Sequence, residues 1–346
     1  VNAPTIIVGG GIAGAVAAAT LARAGERPLV LERSRGPQHK VCGEFLSWEA
    51  ADRIATLGFD LAALAPARID RVRLVRGERY AEARLPRAAY GISRFALDDA
   101  LLAHAARLGA RVERGAVVRS LDAGDGLRVD GRHAGRVFVA TGKHDLRGAR
   151  RAVAGQHVVA GYVGFKAHFR LTSAETAALA GAVELHLLPG GGYAGLQLVE
   201  RGIANLCLLT GTGTSFVAMR GAIDAGAAML ARRLAGAEML FDRPLAIAGV
   251  PYGFIHRGGD PPWQRRIGDQ FAVVHSFTGD GMAMAVATAA LAAAGADDAA
   301  LRRAVAGPVR TSALLHASLA HAAPFAAARL CPALLTVAAR LTRVRG

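Results

Sequence analysis

Three glycines, Gly9, Gly11 and Gly14, stand in "TIIVGGGIAGAVAAATLARAG", and a carboxylate, Glu32, follows 18 residues after the last of them. In a G-x-G-x-x-G turn between a strand and a helix each glycine has a physical task. Gly9 permits the tight turn, Gly11 leaves the backbone open to a pyrophosphate, and Gly14 lets the helix pack closely on the strand. The helix N-terminus adds unpaired N–H groups and the positive end of its dipole. Glu32, with Arg33 beside it, ends the next strand where ribose hydroxyls need an acceptor. The spacing predicts a dinucleotide site.

A second constellation lies far along the chain, in "IGDQFAVVHSFTGDGMAMA". Gly268-Asp269 is expected to close an apolar strand, and Gly279-Asp280-Gly281, followed by Met282, to open a helix. Bare glycine N–H groups at a helix start suit the pyrimidine side of a flavin, whose reduced form is anionic. Asp269 is then placed for the ribitol hydroxyls.

These residues require elements to hold them. "TIIVGG", a helix ending at Gly25 and "RPLVLER" read as a βαβ unit. A Gly- and Pro-containing loop, "SRGPQHKVCGEFLS", precedes a helix from about Trp48 to Leu57. "RIDRVRLVRGERYAEARL" reads as a hairpin turning at "RGER". A helix over about Leu97 to Leu108 and the strand "RVFVATG" complete the first domain. From about Val158 to Val250 the pattern is strand-rich, interrupted by one helix, "FVAMRGAIDAGAAMLARRLA". The predicted class is α/β: a Rossmann-like domain over residues 1–70, 91–157 and 256–300, interleaved with a mostly antiparallel domain over 71–90 and 158–255. An alanine-rich helical segment, 301–346, follows; it is expected to pack on the body or to touch a membrane peripherally.

Composition narrows the class. The chain has 346 residues, 52% of them hydrophobic and only 5% aromatic, which suits helices of Ala, Val and Leu on a sheet. Lys and Arg number 42 against 27 Asp and Glu. The cations are dispersed, with no zinc-finger spacing and no aromatic-basic RNA motif, so acidic cofactors are expected rather than nucleic acid. Cys42, Cys207 and Cys331 are odd in number and far apart, so no disulfide framework and no metal site is expected, and a reducing cytoplasm fits. The N-terminal apolar run lacks a basic flank and is broken by three glycines, unlike a signal peptide. No transmembrane helix is predicted. Only Lys40, Lys143 and Lys166 are lysines, and two of them flank candidate site loops.

The combination of "IIVGGGIAGAVAAATLARAG", "VLER", "KVCGEFLS", "SRFALDDALLAHAARLGARV", "VFVATG" and "IGDQFAVVHSFTGDGMAMA" resembles the geranylgeranyl-reductase-like branch of the para-hydroxybenzoate-hydroxylase-type flavoproteins, over most of residues 1–300. The resemblance implies FAD. It places Arg94 and the backbone near Val117 against the cofactor, Gly268 and Asp269 at its ribitol, and Gly279, Asp280, Gly281 and Met282 beside its ring. Cys42-Gly43-Glu44 resembles the reductases' loop along the ring, with Cys42 either a candidate catalytic group or a small buried residue, and Glu44 either a candidate catalytic acid or a salt-bridge partner. "LLPGGGYAGLQL" corresponds to a substrate-facing segment, making Tyr193 and Tyr252 pocket candidates.

The chain departs from the family pattern in three places. "ATGKHDLRG" replaces the Asp-Gly pair that serves FAD and NAD(P)H together. Lys143, His144, Asp145 and Arg147 read either as a phosphate-binding set or, preferably, as a solvated loop. Ser276 replaces a proline beside His275, which the resemblance places near the reacting face of the ring, either to donate a proton or hold a phenolate or as a histidine hydrogen-bonded to backbone, and Phe271 replaces a small residue. Trp48 and Trp263 are isolated, unlike the paired tryptophans of flavin halogenases. The resemblance implies an FAD-dependent oxidoreductase with NAD(P)H as electron donor. Hydroxylation of a small aromatic or polyketide-like substrate is expected first, C=C reduction or dehydrogenation second, and a non-catalytic flavin-binding partner third.

Overall fold

The computed structural model describes residues 4–124, 126–153, 161–189, 191–211, 213–319 and 321–344. Five parallel strands form one sheet in the order Gln264–Arg266, Arg136–Val139, Thr5–Val8, Leu29–Glu32 and Arg111–Arg114. Its three central strands are apolar except for Arg136, Thr5 and Glu32 at their ends, because both faces are covered. Ile7, Val30 and Phe138 pack under the helices Ile12–Arg23, Arg94–Arg107 and Gly281–Ala293. Ile6, Val8, Leu31 and Val137 pack against the other side, where Leu121, Val129 and Leu146 close the core.

The second sheet has nine strands and is mostly antiparallel. Its main order is Glu238–Met239, Tyr162–Arg170, Ala204–Gly211, Tyr193–Leu198, Gly181–Leu187, Ala67–Arg76, Arg79–Gly91 and Phe45–Leu46, with Leu245–Ala248 also pairing Tyr162–Arg170. Gly181–Leu187 runs parallel to Ala67–Arg76, which joins the early hairpin to the later strands. The hairpin spans Ala67 to Gly91, wider than 71–90, and turns at Gly77-Glu78. Residues 158–160 of the expected second domain lie outside the described residues.

Several elements differ from expectation for local reasons. The helix expected from Leu97 begins at Arg94, because Ser93 caps it by accepting from Ala96 N–H at 3.1 Å. The long helix in the second domain is two, Phe216–Gly226 and Ala228–Leu234, broken at Ala227. Gly268-Asp269 does not close an apolar strand: the strand Gln264–Arg266 is polar, and Gly268–Gln270 is a turn of 3₁₀ helix. Beyond Ala293 come the helices Asp298–Ser318, Ala322–Leu330 and Ala333–Leu341, with Pro308 buried inside the first and Pro332 capping the last. Among the described residues no single helix is long and apolar enough to cross a membrane.

Candidate functional site

A cleft of about 550 Å³ opens where the first sheet's strand ends meet the second sheet. Gly9, Gly11, Glu32 and Arg33 line one end, and Arg94, Val117, Gly268 and Asp269 line its walls. Cys42, Gly43 and Glu44, together with Gly279, Gly281 and Met282, line the other end. Residues dispersed over more than 270 positions of sequence are thereby brought to one cavity.

At the first end, Gly9 adopts a φ of 106° that side chains resist, and a Cβ on Gly14 would stand 1.8 Å from the Gly9 carbonyl oxygen. Gly14 therefore shapes the turn from behind and does not line the cleft. Two cations converge on the helix start: a Cβ on Gly11 would lie 3.3 Å from Lys40 Nζ and 3.5 Å from Arg94 Nη2. Both are held by Asp98, through Lys40 Nζ at 2.7 Å and Arg94 Nε at 2.6 Å. Burial would raise the Asp98 carboxyl, but Arg94 and Lys40 outweigh it and hold it below its ordinary range. A helix N-terminus under an arginine and a lysine fits a pyrophosphate. Glu32 accepts the Gly10 N–H at 2.6 Å and the Ser34 N–H at 2.8 Å, which fixes its carboxylate at the strand end.

At the other end the Cys-Gly-Glu loop is fastened to the second sheet. Asn205 Nδ2 donates to the Gly43 carbonyl at 2.9 Å, and Gln197 Nε2 to the Glu44 carbonyl at 2.8 Å. Glu44 sits at a φ of 58°, a strained position for a residue with a side chain, and is fully buried. Its carboxylate accepts from Arg94 N–H at 2.7 Å, from His168 Nε2 at 2.7 Å and from Lys166 Nζ. Burial would raise the Glu44 carboxyl, yet the bonds from His168 and Lys166 pull it below its ordinary value. Glu44 is thus an ionised anchor with both oxygens engaged, the salt-bridged arrangement, and it still lines the cleft. Cys42 does line the cleft, its sulfur accepting the Glu44 N–H at 3.4 Å.

Gly279 has a φ of 74°, and a Cβ there would meet Phe45 Cδ1 at 2.9 Å, so glycine is required for the close approach. Gly281 opens the helix with free space before it. Asp280 turns away from the cleft: fully buried, it pairs with Arg343, whose guanidinium also lies over Phe45 and Trp48. Burial raises its carboxyl.

His275 is also not on the cleft lining. Its ring stacks between Tyr252 at 5.5 Å and His316 at 4.6 Å. Burial and then His316 lower it to about 4, so it is neutral at neutral pH and is no standing acid. The cleft wall in front of it is made by Tyr252 and Ser276. Ser276 Oγ bonds Tyr193 Oη at 2.5 Å and Tyr252 Oη at 3.5 Å. Tyr193 lies behind the lining and joins it only through Ser276. Burial raises both phenols, so each remains a neutral hydroxyl.

Lys143 is the residue that sequence reasoning placed wrongly. His144, Asp145 and Arg147 are exposed as a solvated loop should be, although His144 and Asp145 also border the cleft. Lys143 instead reaches into the cleft and donates to the Val41 carbonyl at 3.1 Å. Burial lowers its ammonium, but Asp269 outweighs that and raises it. The one available signal was the rarity of lysine: Lys40, Lys143 and Lys166 all serve this cavity.

Residues 2–149 match the model of the FAD binding domain family. Residues 2–149 therefore form an FAD-binding domain, and the chain as a whole has the fold shared by flavin-dependent enzymes. No curated protein matches it in sequence. Among solved structures it is similar to a geranylgeranyl bacteriochlorophyll reductase-like protein from Thermoplasma acidophilum, with 19% identity, a TM-score of 0.68 and coverage of 85% of this chain and 77% of that one. It is also similar to the flavin-dependent brominase Bmp2, with 17% identity, a TM-score of 0.76 and coverage of 99% and 93%. The halogenase PltM in complex with phloroglucinol and FAD gives 14%, 0.74, and 92% and 76%. At these identities the likeness is one of fold.

Proposed function

We propose that the protein is a flavoprotein monooxygenase that hydroxylates a phenolic aromatic or polyketide-like small molecule, with NAD(P)H as electron donor. The observation that supports this reading is the hydroxyl chain Tyr252–Ser276–Tyr193, which begins on the cleft wall and runs into the interior. The hydroxyls of Tyr252 and Ser276, held in place through Tyr193, can donate to the oxygen of a bound phenol and favour its phenolate, and loss of that proton to solvent at the cleft mouth makes the ring electron-rich enough to accept oxygen.

Bound FAD supplies reduction of dioxygen and transfer of one oxygen atom. The balance is ArOH + O₂ + NAD(P)H + H⁺ giving Ar(OH)₂ + NAD(P)⁺ + H₂O. The chain's own residues do the rest. Lys40, Arg94 and the Gly11 helix start would hold the pyrophosphate. Glu32 would take ribose hydroxyls, Asp269 the ribitol, and the Gly281 N–H groups the pyrimidine edge. Lys143 keeps a positive charge inside the cleft, and Leu245, Ile247 and Val273 exclude water from one wall.

Supplying the purified protein with FAD, NADH or NADPH, halide salts and a panel of phenols, aromatic polyketides and prenyl lipids separates the readings by product mass. A phenol that gains one oxygen is expected. A change of two hydrogens would establish C=C reduction or dehydrogenation instead, a halogen gain would establish halogenation, and substrate-independent behaviour with every donor would mark a non-catalytic flavoprotein.

A further inference from the structure

We infer that the C-terminal helix pair, Ala322–Leu330 and Ala333–Leu341, is a docking face for an anionic lipid surface. From residue 299 to 346 the chain carries seven arginines and no Asp or Glu, an asymmetry found nowhere else along its length. Of the nine large hydrophobic side chains exposed among the described residues, five lie in this segment: Leu314, Leu330, Leu334, Val337 and Leu341.

Their placement makes a face. Leu334, Val337 and Leu341 follow at intervals of three and four, so they share one side of the last helix, 45%, 48% and 52% exposed. Leu330, 89% exposed, continues that patch across the break at Pro332, where the two helices meet at 116°. Arg329 and Arg340 stand exposed beside it. The opposite sides are already used: Phe325 and Ala328 pack on Leu74, Ala81 and Leu187, and Leu335 and Ala339 pack against the hairpin core. Thr336 Oγ1 donates to the Arg84 carbonyl at 2.9 Å. The pair is therefore held flat on the body with its remaining apolar side outward.

Together the two helices have the length and composition of a span, but they are bent by 116° at Pro332, packed on the body along one side and rooted in the protein at Arg343. The pair can lie in the interface, with leucines among the acyl chains and arginines at the phosphates. An acid-free, arginine-rimmed face complements lipid phosphate, whereas a second copy would set the same positive charges against each other.

The FAD-loaded protein is sedimented with vesicles of phosphatidylcholine alone and of phosphatidylcholine with an equal part of phosphatidylglycerol. Binding is expected only to the second, weakening as salt rises. The double variant Leu334→Glu, Val337→Glu is expected to lower the bound fraction by about tenfold or more while keeping the flavin spectrum and FAD content of the parent. Arg329→Gln with Arg340→Gln is expected to flatten the salt dependence. Absence of binding to anionic vesicles, or unchanged binding by the double leucine-valine variant, overturns the inference. So does a dimer in sedimentation velocity that this variant dissolves without any vesicle binding.

Discussion

Arg94 illustrates how one side chain can be committed twice. Its backbone N–H fixes Glu44, and its guanidinium, raised against burial by Asp98, points at the Gly11 turn. Arg94→Gln removes a charge-assisted contact to the pyrophosphate and should weaken FAD by roughly tenfold to a hundredfold, read by fluorescence titration. Tyr252→Phe interrupts the hydroxyl chain at the cleft. It should lower phenol turnover about a hundredfold with FAD affinity unchanged. Unchanged turnover would remove the chain from the mechanism. The glycine turn and Glu32 were legible because backbone approach and a strand-end acceptor leave a fixed spacing, whereas Asp269 reaches the cleft from a 3₁₀ turn and not from the strand end expected. Lys143 was misjudged, and the choice between the two readings of Glu44 and of His275 stayed open, since which way a side chain turns from a loop depends on contacts made by distant strands.

At the scale of elements, the first turn of the helix Ile12–Arg23 depends on one close approach of backbone to backbone. Gly14→Ala would push a methyl into the Gly9 carbonyl and should cost about 3 kcal/mol or more of stability together with FAD binding, measured by denaturant unfolding. In the second sheet, Glu184 is buried between Arg73 at 3.0 Å, Arg233 at 2.8 Å and His186 at 3.1 Å. Burial would raise its carboxyl, but His186 and the arginines hold it down to about 2 against an ordinary 4.5. A depressed carboxyl stabilises the fold fully above its unfolded value. That contribution, roughly 3 kcal/mol, should vanish as the pH falls from about 4.5 toward 2. Glu184→Gln should flatten that limb of the stability curve and lower stability at neutral pH, since Arg73 and Arg233 lose a buried partner. The βαβ unit and the hairpin were readable from periodicity and glycine. The helix start at Arg94 and the break at Ala227 were not, because a serine cap and a backbone turn leave little trace in an alanine-rich pattern.

For the whole molecule, the two sheets and their order of interleaving followed from the alternation of apolar strands and helices, while the chemistry of the cleft did not. Solved structures of the same fold include a reductase-like protein and halogenases, so the path of the chain does not select a reaction. The selection rests on what faces the cleft: a cationic Lys143, an apolar wall and the Tyr252–Ser276–Tyr193 chain. The most direct measurement is turnover of a phenol under ¹⁸O₂ with FAD and NAD(P)H, followed by mass spectrometry. The account predicts one ¹⁸O atom in the product ring. A product carrying no label, or one altered only by two hydrogens or a halogen, would contradict it.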